Sequence, residues 1–268
     1  MSLLKDKLKS KLSKKDLEKM PSSFDVVGDI AIIEIRHLKG KDKLIADTIL
    51  DNLNNINVVA KKVGEHKGKY RLQKLKIIGG EKRKETLHKE SGVLLKLDIE
   101  KCYFTERLSS ERLRIAKLVK AGERVLVMFS GIGVYCLVIA RNSKAKEIYG
   151  VEANPVAHKY ASDNLKLNKS ENIFLYKGDV RKAIPKMKFD RIVMPYPKEA
   201  PKFLDLALKH IKNNGVIHLY TFEHEEKFEE LRKCYLKKFK SVKLNRCGAY
   251  APRVDRVCLD LKLYNLMR

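Results

Sequence analysis

The sequence predicts an α/β protein in which a mostly parallel sheet, with helices on both faces, is preceded by a small α+β domain. From about residue 111 onward, apolar runs of strand length alternate with helical patterns, as in a doubly wound sheet. Residues 24–100 instead contain short β-branched segments and only one helical pattern. The 268 residues suffice for both domains. We expect an N-terminal helix over 1–20, the small domain over 21–108 and the sheet domain over 109–268.

The first segment places Leu4, Leu8 and Leu12 four residues apart among lysines. This spacing predicts a basic amphipathic helix with one apolar stripe, ended by Pro21. Such a helix can lie on a membrane or touch RNA, but more often its stripe docks on its own domain. We expect docking.

The small domain is predicted from strand-like segments punctuated by Gly or charged turns. One segment between the first two strands has a helical pattern. The predicted strands are "FDVVGDIAIIEI", "INVVAKKVG", "KYRLQKLKIIGG" and "KETLHKESGVLLKLDI", and the predicted helix is "DKLIADTILDNL".

The sheet domain follows with helices and strands in alternation, which favours parallel pairing. The final segments, "GVIHLYTF" and "AYAPRVDRVCLDLKLY", indicate late antiparallel strands. The predicted helices are "SERLRIAKLVK", "GVYCLVIAR", "NPVAHKYASDNLKLN" and "EAPKFLDLALKHI"; the other predicted strands are "RVLVMF", "EIYGVE", "NIFLYKGD" and "FDRIVMP".

The charge balance predicts a polyanionic partner. Lys and Arg total 58 against 33 Asp and Glu, a formal net charge of +25. Thermophilic composition enriches Lys together with Glu, so it does not explain this imbalance. We therefore expect the protein to bind nucleic acid.

The five cysteines are widely spaced and form no C-x-x-C pair, so neither a zinc site nor a disulfide framework is expected. No apolar stretch approaches the roughly 20 residues of a membrane span, and the N-terminus lacks a signal-peptide core. We expect a cytoplasmic protein with no metal and no membrane contact.

Three successive strand ends carry residues suited to a nucleoside ligand. Gly131 and Gly133 follow the first strand and let backbone approach a ligand closely. Glu152 ends the next strand, where a carboxylate can accept both ribose hydroxyls, and Asp179 ends another, where it can accept from an adenine amino group. This order is typical of S-adenosylmethionine methyltransferases, whose sulfonium cofactor needs no phosphate cradle.

Several segments resemble the archaeal and eukaryal tRNA guanine-37 N1-methyltransferases. They are "HKESGVLLKLDIEKCYFTERLSSERLRIAKLVKAGERVLVMFSGIG", "NLKLNK", "GDVRKAI", "FDRIVMPYPKEAPKFLDLALKHI" and "YAPRVDRVCLDL". The resemblance covers about residues 20–265 and implies a class I (Rossmann-like) fold, S-adenosylmethionine as the cofactor, and a monomer acting on the tRNA anticodon stem-loop. Many members carry a further N-terminal module, which is expected here to be absent or reduced to the 1–20 helix.

The resemblance also implies catalytic roles. N1 of guanine carries a proton, so methyl transfer needs a base to remove it and a cation to stabilise charge on O6. The family's Arg falls on Arg107 and its base on Glu147 of "KEIYGVE". Where many members have Asn-x-Pro, this sequence has Pro195, Tyr196 and Pro197. The Pro195 carbonyl could accept in place of the Asn and Tyr196 could stack on the flipped guanine, or the turn could be merely rigid.

The remaining site assignments follow from the same resemblance. Contacts to RNA are expected from Arg107, Arg112, Arg253 and Arg256, although a solvated strand edge would explain the last two equally well. Contacts to the cofactor are expected from Phe129, Ser130, Gly131, Gly133, Glu152, Ala153, Asp179, Val180 and Pro195.

Two other functions stay open. A sister family in wyosine synthesis transfers the aminocarboxypropyl group, and some archaeal guanine-37 enzymes are thought to methylate a carbon of the tricyclic wyosine precursor as well. Arg107 favours methyl transfer, since members of the sister family tend to lack it. A tRNA-binding module that retains cofactor without catalysis is a third hypothesis, but it would not need the catalytic residues.

Overall fold

The computed structural model describes residues 3–264. The chain forms two compact units. Unit 1 comprises Met1–Lys89 and Leu94–Glu106, and unit 2 comprises Glu90–Val93 and Arg107–Arg268. The segment 1–20, which was expected to be separate, is therefore grouped with the small domain. Within the described residues, no helix is both long enough and apolar enough to cross a bilayer.

Unit 1 is built on a four-stranded sheet in the order β1-β2-β3-β4. Its strands are β1 (Asp25–Val27), β2 (Ile30–Ile33), β3 (Val58–Lys67) and β4 (Leu72–Gly80). Strands β2 and β3 are connected by helix α3 (Asp42–Asn52) and pair in parallel, whereas the other two strand pairs are antiparallel. Strands β5 (Glu85–Glu90) and β6 (Val93–Asp98) form a separate two-stranded sheet.

The segment predicted as the first strand is instead the hairpin β1–β2. Gly28 lies in its turn with φ +59°, a conformation that favours glycine. A Cβ at this position would lie 2.7 Å from the Leu87 carbonyl oxygen. The turn therefore requires glycine, which divides the predicted strand in two.

The N-terminal segment forms two short helices, α1 (Leu3–Leu8) and α2 (Lys14–Lys19), rather than the single predicted helix. Ser13 breaks the pattern because its hydroxyl accepts the backbone N–H of Asp16 and caps α2. Docking of the apolar stripe is confirmed. Its leucines are buried in a core that also contains Ile45 and Ile49 of α3; they are Leu4, Leu8 and Leu12.

Unit 2 contains a seven-stranded sheet in the order β12-β13-β11-β10-β7-β8-β9. The five strands from β9 to β11 are parallel, whereas β13 is antiparallel to β11 and β12 to β13. This confirms the predicted fold class and the late antiparallel strands. The strands are β7 (Arg124–Met128), β8 (Glu147–Glu152), β9 (Ile173–Lys177), β10 (Phe189–Met194), β11 (Ile211–His224), β12 (Ser241–Ala251) and β13 (Val254–Lys262).

The predicted helices of unit 2 are present, but two further helices were not predicted. Helix α7 has only four residues. Helix α9 packs Leu231, Tyr235 and Leu236 against the core, but each of them stays only partly buried. The helices are α4 (Ser109–Leu118), α5 (Val134–Asn142), α6 (Pro155–Leu167), α7 (Val180–Ala183), α8 (Leu204–His210), which follows a 3₁₀ turn at Ala200–Phe203, and α9 (Phe228–Leu236).

One face of this sheet has an apolar core, and the other has a buried ion-pair network. His218 is fully buried; Arg191 donates to its Nε2 at 2.6 Å, and its Nδ1 donates to Asp260 at 2.6 Å. Burial lowers the pKa of His218, so the ring is neutral. Arg114 of α4 reaches Asp260 at 2.7 Å, which ties this helix to the antiparallel strands.

Replacing Leu8 tests the docking of the N-terminal segment. Because Leu8 is fully buried, Leu8→Ala should lower the free energy of unfolding by about 2–4 kcal/mol, measured by urea denaturation. Leu167→Ala is the control, since Leu167 is 43% exposed and should change stability by less than about 0.5 kcal/mol. Equal effects of the two variants would show that the stripe contributes nothing to stability.

Candidate site at the carboxyl edge of the sheet

The turn after β7 has the backbone of a ligand loop. Phe129, Gly131 and Gly133 have positive φ values of 61°, 57° and 83°, and α5 begins directly afterwards. A Cβ on Gly133 would lie 3.3 Å from the Cβ of Ala161 in α6. Gly133 thus permits close packing of α6, and its contact with the cofactor stays a prediction.

Ser130 in the same turn points inward. Its hydroxyl is buried, finds no hydrogen-bond partner within residues 3–264, and lies 3.1 Å from where a Cβ of Gly150 would be. The backbone N–H of Ser130 donates to Val151 and its carbonyl accepts from Gly133, both at 3.0 Å, so the contact of Ser130 with the cofactor stays a prediction. Gly150 of β8 leaves the space that this side chain occupies.

Glu152 links the turn to the end of β8. Its carboxylate accepts the backbone N–H of Gly131 at 2.8 Å and that of Asn154 at 2.6 Å. Burial raises the pKa of Glu152, and the backbone hydrogen bonds oppose this rise. The backbone N–H of Ala153 is a third donor to this carboxylate, so of its roughly four lone-pair positions about one stays available to a ribose hydroxyl. Ala153 follows directly in the chain.

Asp179 lies at the third strand end, after β9. The N–H of Gly178 donates to the Glu152 carbonyl at 2.8 Å, which places this turn beside the second strand end. The Asp179 carboxylate caps α7 by accepting the N–H of Arg181 and also pairs with its guanidinium at 2.6 Å. Val180, the first residue of α7, is buried. The structure therefore brings the Gly turn and both acids to one edge, while adenine binding by Asp179 stays a prediction.

The turn after β10 borders the Gly turn because β10 and β7 are paired neighbours. The ring of Tyr196 meets that of Phe129 edge to face, with centroids 5.3 Å apart, and Phe129 meets Phe203 in the same way at 5.2 Å. Pro195 is half-buried and Pro197 is buried, so Pro197 shapes the turn rather than contacting substrate. Phe203 was not identified from sequence because it lies inside an apolar helical pattern.

Helix α4 places Arg107 at the same edge. Tyr220 donates to Glu111 in the first turn of α4 at 2.7 Å, and Arg191 donates to the carbonyl of Leu118 at its end at 2.7 Å. Tyr220 follows Leu219, which pairs with Met194 at the carboxyl end of β10, whereas Arg191 lies near the amino end of β10. The helix thus begins at the carboxyl edge, and Arg107 lies in the 3₁₀ turn immediately before it.

The prediction that Glu147 is the catalytic base is wrong. Glu147 is the first residue of β8, opposite Arg124 at the amino edge of the sheet. It lies about 16 Å from Glu152 at the usual rise per strand residue. The hydrogen bond from Arg124, at 2.7 Å, and then that from Tyr149 lower the pKa of Glu147. Its carboxylate is therefore a structural ion-pair partner.

The prediction that Arg112 binds RNA is also wrong. Its side chain is 2% exposed and forms a bidentate ion pair with Glu90, at 2.6 and 2.5 Å. A buried pair of this kind is unavailable to a phosphate. Arg253 lies exposed in the turn between β12 and β13, 3.7 Å from Glu226, and Arg256 lies over the ring of Phe222. Contact of Arg253 and Arg256 with RNA stays a prediction.

One group of side chains has the composition of a metal site. The ligand atoms of His218, Cys258 and Asp260 lie within 4.8 Å of one another. Both His218 nitrogens are already engaged, and the guanidinium groups of Arg191 and Arg114 would repel a cation. This group therefore belongs to the ion-pair network.

The chain matches two family models. Residues 86–246 match the TRM5/TYW2 methyltransferase domain, and residues 4–83 match the TYW2 N-terminal domain. The chain belongs to the TRM5/TYW2 methyltransferase family. This confirms the resemblance found in the sequence and accounts for the order of Gly turn and acids at the strand ends.

Individual relatives in this family include two named archaeal proteins. The chain is 38% identical over 253 residues to the tRNA (guanine(37)-N(1))-methyltransferase Trm5b of Pyrococcus abyssi, covering 91% of this chain and 76% of that protein. It is 34% identical to the tRNA 4-demethylwyosine(37)-methyltransferase Taw21 of Saccharolobus solfataricus, covering 89% and 93%. A solved complex of aTrm5 and tRNALeu shares 34% identity and a TM-score of 0.87, covering 98% of this chain and 78% of that one.

The position of Glu147 makes a testable distinction within the TRM5/TYW2 site. Glu147→Gln should change the rate of methyl transfer by less than about twofold, because the residue is remote from the reacting atoms. Glu152→Ala should weaken cofactor binding at least about tenfold, since a charged acceptor of hydrogen bonds is lost. Steady-state kinetics and calorimetric titration with S-adenosylmethionine measure both. A tenfold loss of rate in Glu147→Gln with normal cofactor affinity would restore its catalytic assignment.

Proposed function

We propose that this protein transfers the methyl group of S-adenosylmethionine to N1 of guanine 37 in tRNA, acting in the cytoplasm as a monomer on the anticodon stem-loop. The observation that carries this proposal is the joining of the Gly131 amide and the Glu152 carboxylate at the switch point of the sheet. Family membership supports methyl transfer, and the Pyrococcus relative is named for this reaction.

The described residues fit the proposed cofactor. Glu152 presents a carboxylate at the end of β8 for the ribose hydroxyls, and the φ values of the β7 turn bring backbone rather than side chains towards the ligand. Asp179 and Val180 follow β9 and are the residues proposed to contact the adenine. The bound cofactor supplies an electrophilic methyl group on a sulfonium.

The residues opposite the cofactor fit a guanine. As N1 attacks the methyl carbon and loses its proton, negative charge grows on O6, which a guanidinium at the Arg107 position would stabilise. Tyr196 and Pro195 follow β10 and are half-buried, so the Tyr196 ring and the Pro195 carbonyl are the groups proposed to contact the guanine. Bringing a base out of a stacked loop into such a pocket is the usual solution for chemistry on nucleobases.

Unit 1 offers a surface suited to tRNA. Strands β3 and β4 extend as a hairpin whose outer residues in β3 are exposed. A basic hairpin of this kind suits sequence-independent contact with phosphates. Between residues 58 and 80 its charged residues are Glu65 against Lys61, Lys62, Lys67, Lys69, Arg71, Lys74 and Lys76.

A second candidate function is methylation of a carbon of the tricyclic wyosine precursor at position 37. Two observations favour it: the chain has Pro195 where many guanine-37 enzymes have Asn, and one relative is named a 4-demethylwyosine methyltransferase. Aminocarboxypropyl transfer to that precursor is the third possibility within the family. Arg107 disfavours aminocarboxypropyl transfer, because the resemblance implies that enzymes of that sister family tend to lack an Arg at this position.

One labelling experiment separates these reactions. Purified protein is incubated with S-adenosylmethionine labelled either in the methyl or in the carboxyl group. The RNA is a transcript carrying G or A at position 37, or a tRNA carrying the wyosine precursor there, and nucleoside analysis follows. We expect methyl label in 1-methylguanosine from the G transcript alone. Carboxyl label in a precursor-containing tRNA would instead establish aminocarboxypropyl transfer, and methyl label there would establish the wyosine activity.

Arg107 provides the mutational test. Arg107→Ala should lower kcat at least about tenfold, because the cation that stabilises O6 is lost, while cofactor affinity stays close to that of the wild type. Arg232→Ala is a matched control, since Arg232 is a partly exposed arginine of α9, 3.0 Å from Glu229. An unchanged kcat in Arg107→Ala would remove this residue from the catalytic site.

A further inference from the structure

The antiparallel part of the unit 2 sheet extends beyond the candidate site. Strand β10 ends at Met194, which pairs with Leu219, but β11 continues to His224. Phe222 therefore lies about 10 Å past the end of β10, at the usual rise per strand residue. Strand β13 accompanies this extension, with Arg256 opposite Phe222.

The extension carries a stacked aromatic pair. The rings of Phe222 and Tyr250 have centroids 3.9 Å apart and an interplanar angle of 25°, and the Arg256 guanidinium lies 5.5 Å from the Phe222 ring centroid. Tyr250 is 55% exposed. The residues on either side of it, from Gly248 to Arg253, are also exposed, and most are small. The ring is thus open to a ligand.

The pair lies on the face of the sheet that α4 covers. Side chains alternate along a strand, so His218, Tyr220 and Phe222 of β11 project to one face. Tyr220 contacts Glu111 in the first turn of α4. Phe222 is the next residue of β11 on this face towards the carboxyl edge. At the same edge, the 3₁₀ turn that contains Arg107 leads into α4. The stacked pair therefore lies on the face that α4 covers, towards the same carboxyl edge as Arg107.

We propose that Phe222 and Tyr250, with Arg256, form a platform on which one nucleobase of the single-stranded RNA loop stacks beside the base being methylated. The inference rests on the proposed function. Single-stranded RNA is recognised by stacking on aromatic rings and guanidinium planes, which accept any base. A half-exposed tyrosine ring contributes little to a core, whereas it supplies the flat apolar surface that a splayed base requires. The net charge of +25 fits an RNA ligand.

The test compares binding of an anticodon stem-loop RNA to the full-length chain by fluorescence anisotropy. Tyr250→Ala should weaken binding about tenfold, equivalent to about 1.4 kcal/mol and within the range of one base–aromatic stack. Tyr250→Leu should weaken it similarly, because an aliphatic side chain packs but does not stack. Tyr250→Phe should restore the affinity lost in Tyr250→Ala, because the ring and not the hydroxyl is required.

Tyr264→Ala is the matched control. Tyr264 is 51% exposed and follows the end of β13. Lys262 of β13 pairs with Val216, and Val216 pairs with Arg191 near the first residue of β10. Tyr264 therefore lies at the amino edge of the sheet, opposite the candidate site. This variant should bind RNA as the wild type does. Removing single bases on either side of guanine 37 locates the stacked base. With the RNA that lacks the stacked base, the wild type and Tyr250→Ala should have equal affinity.

Failure of this inference and failure of the proposed function give different results. Equal RNA affinity of Tyr250→Ala and Tyr264→Ala, or full affinity in Tyr250→Leu, would overturn the platform even if the wild type methylates guanine 37. A wild type that transfers no methyl group, but whose RNA affinity falls tenfold in Tyr250→Ala, would retain the platform and overturn the reaction. Circular dichroism of each variant confirms that the comparison is between folded proteins.

Discussion

Parallel pairing of β7 with both β8 and β10 is the constraint on which the candidate site depends. It brings the ends of strands distant in the sequence to one edge, and the order of the sheet reverses at β7. Glu152 then closes the arrangement, because its carboxylate accepts the backbone N–H of Gly131 across the two strands. The side chain that would hold a ribose thus also fixes the turn beside it, so binding and local structure use the same hydrogen bonds.

The substrate side depends on a different interaction, the buried network between α4 and the antiparallel strands. Glu111 accepts from Tyr220, Arg114 donates to Asp260, and His218 connects Asp260 to Arg191. Burial would raise the pKa of Asp260, but His218 and Arg114 hold it well below its usual range, so it stays ionised. A helix anchored at successive turns presents Arg107 at a fixed point of the carboxyl edge.

The charges of the protein fall into two groups with different roles. Arg112 and Arg191 are almost fully buried against Glu90 and Glu123, where removing one partner would leave an uncompensated charge. Four lysines of the β3–β4 hairpin, Lys67, Lys69, Lys74 and Lys76, are instead exposed to solvent, where ion pairs are weak and phosphates can replace them. Lys61 and Lys62 are half-buried and pair with Asp42 and Asp25. The amino-acid composition counts both groups as positive charge, and only their burial in the structure distinguishes the paired arginines from the exposed lysines.

The sequence determined the fold class and the ligand edge, because strand and helix periodicity depends on local residues and Gly131, Glu152 and Asp179 each follow a recognisable strand. It also located Arg107 through a motif. It could not determine burial, because Arg112 resembles any other arginine of a basic chain. The resemblance gave Glu147 a catalytic role although this residue begins the strand that Glu152 ends. The stacking of Phe222 on Tyr250 joins residues from two strands distant in the sequence. Only the tertiary pairing of β11, β13 and β12 brings them together.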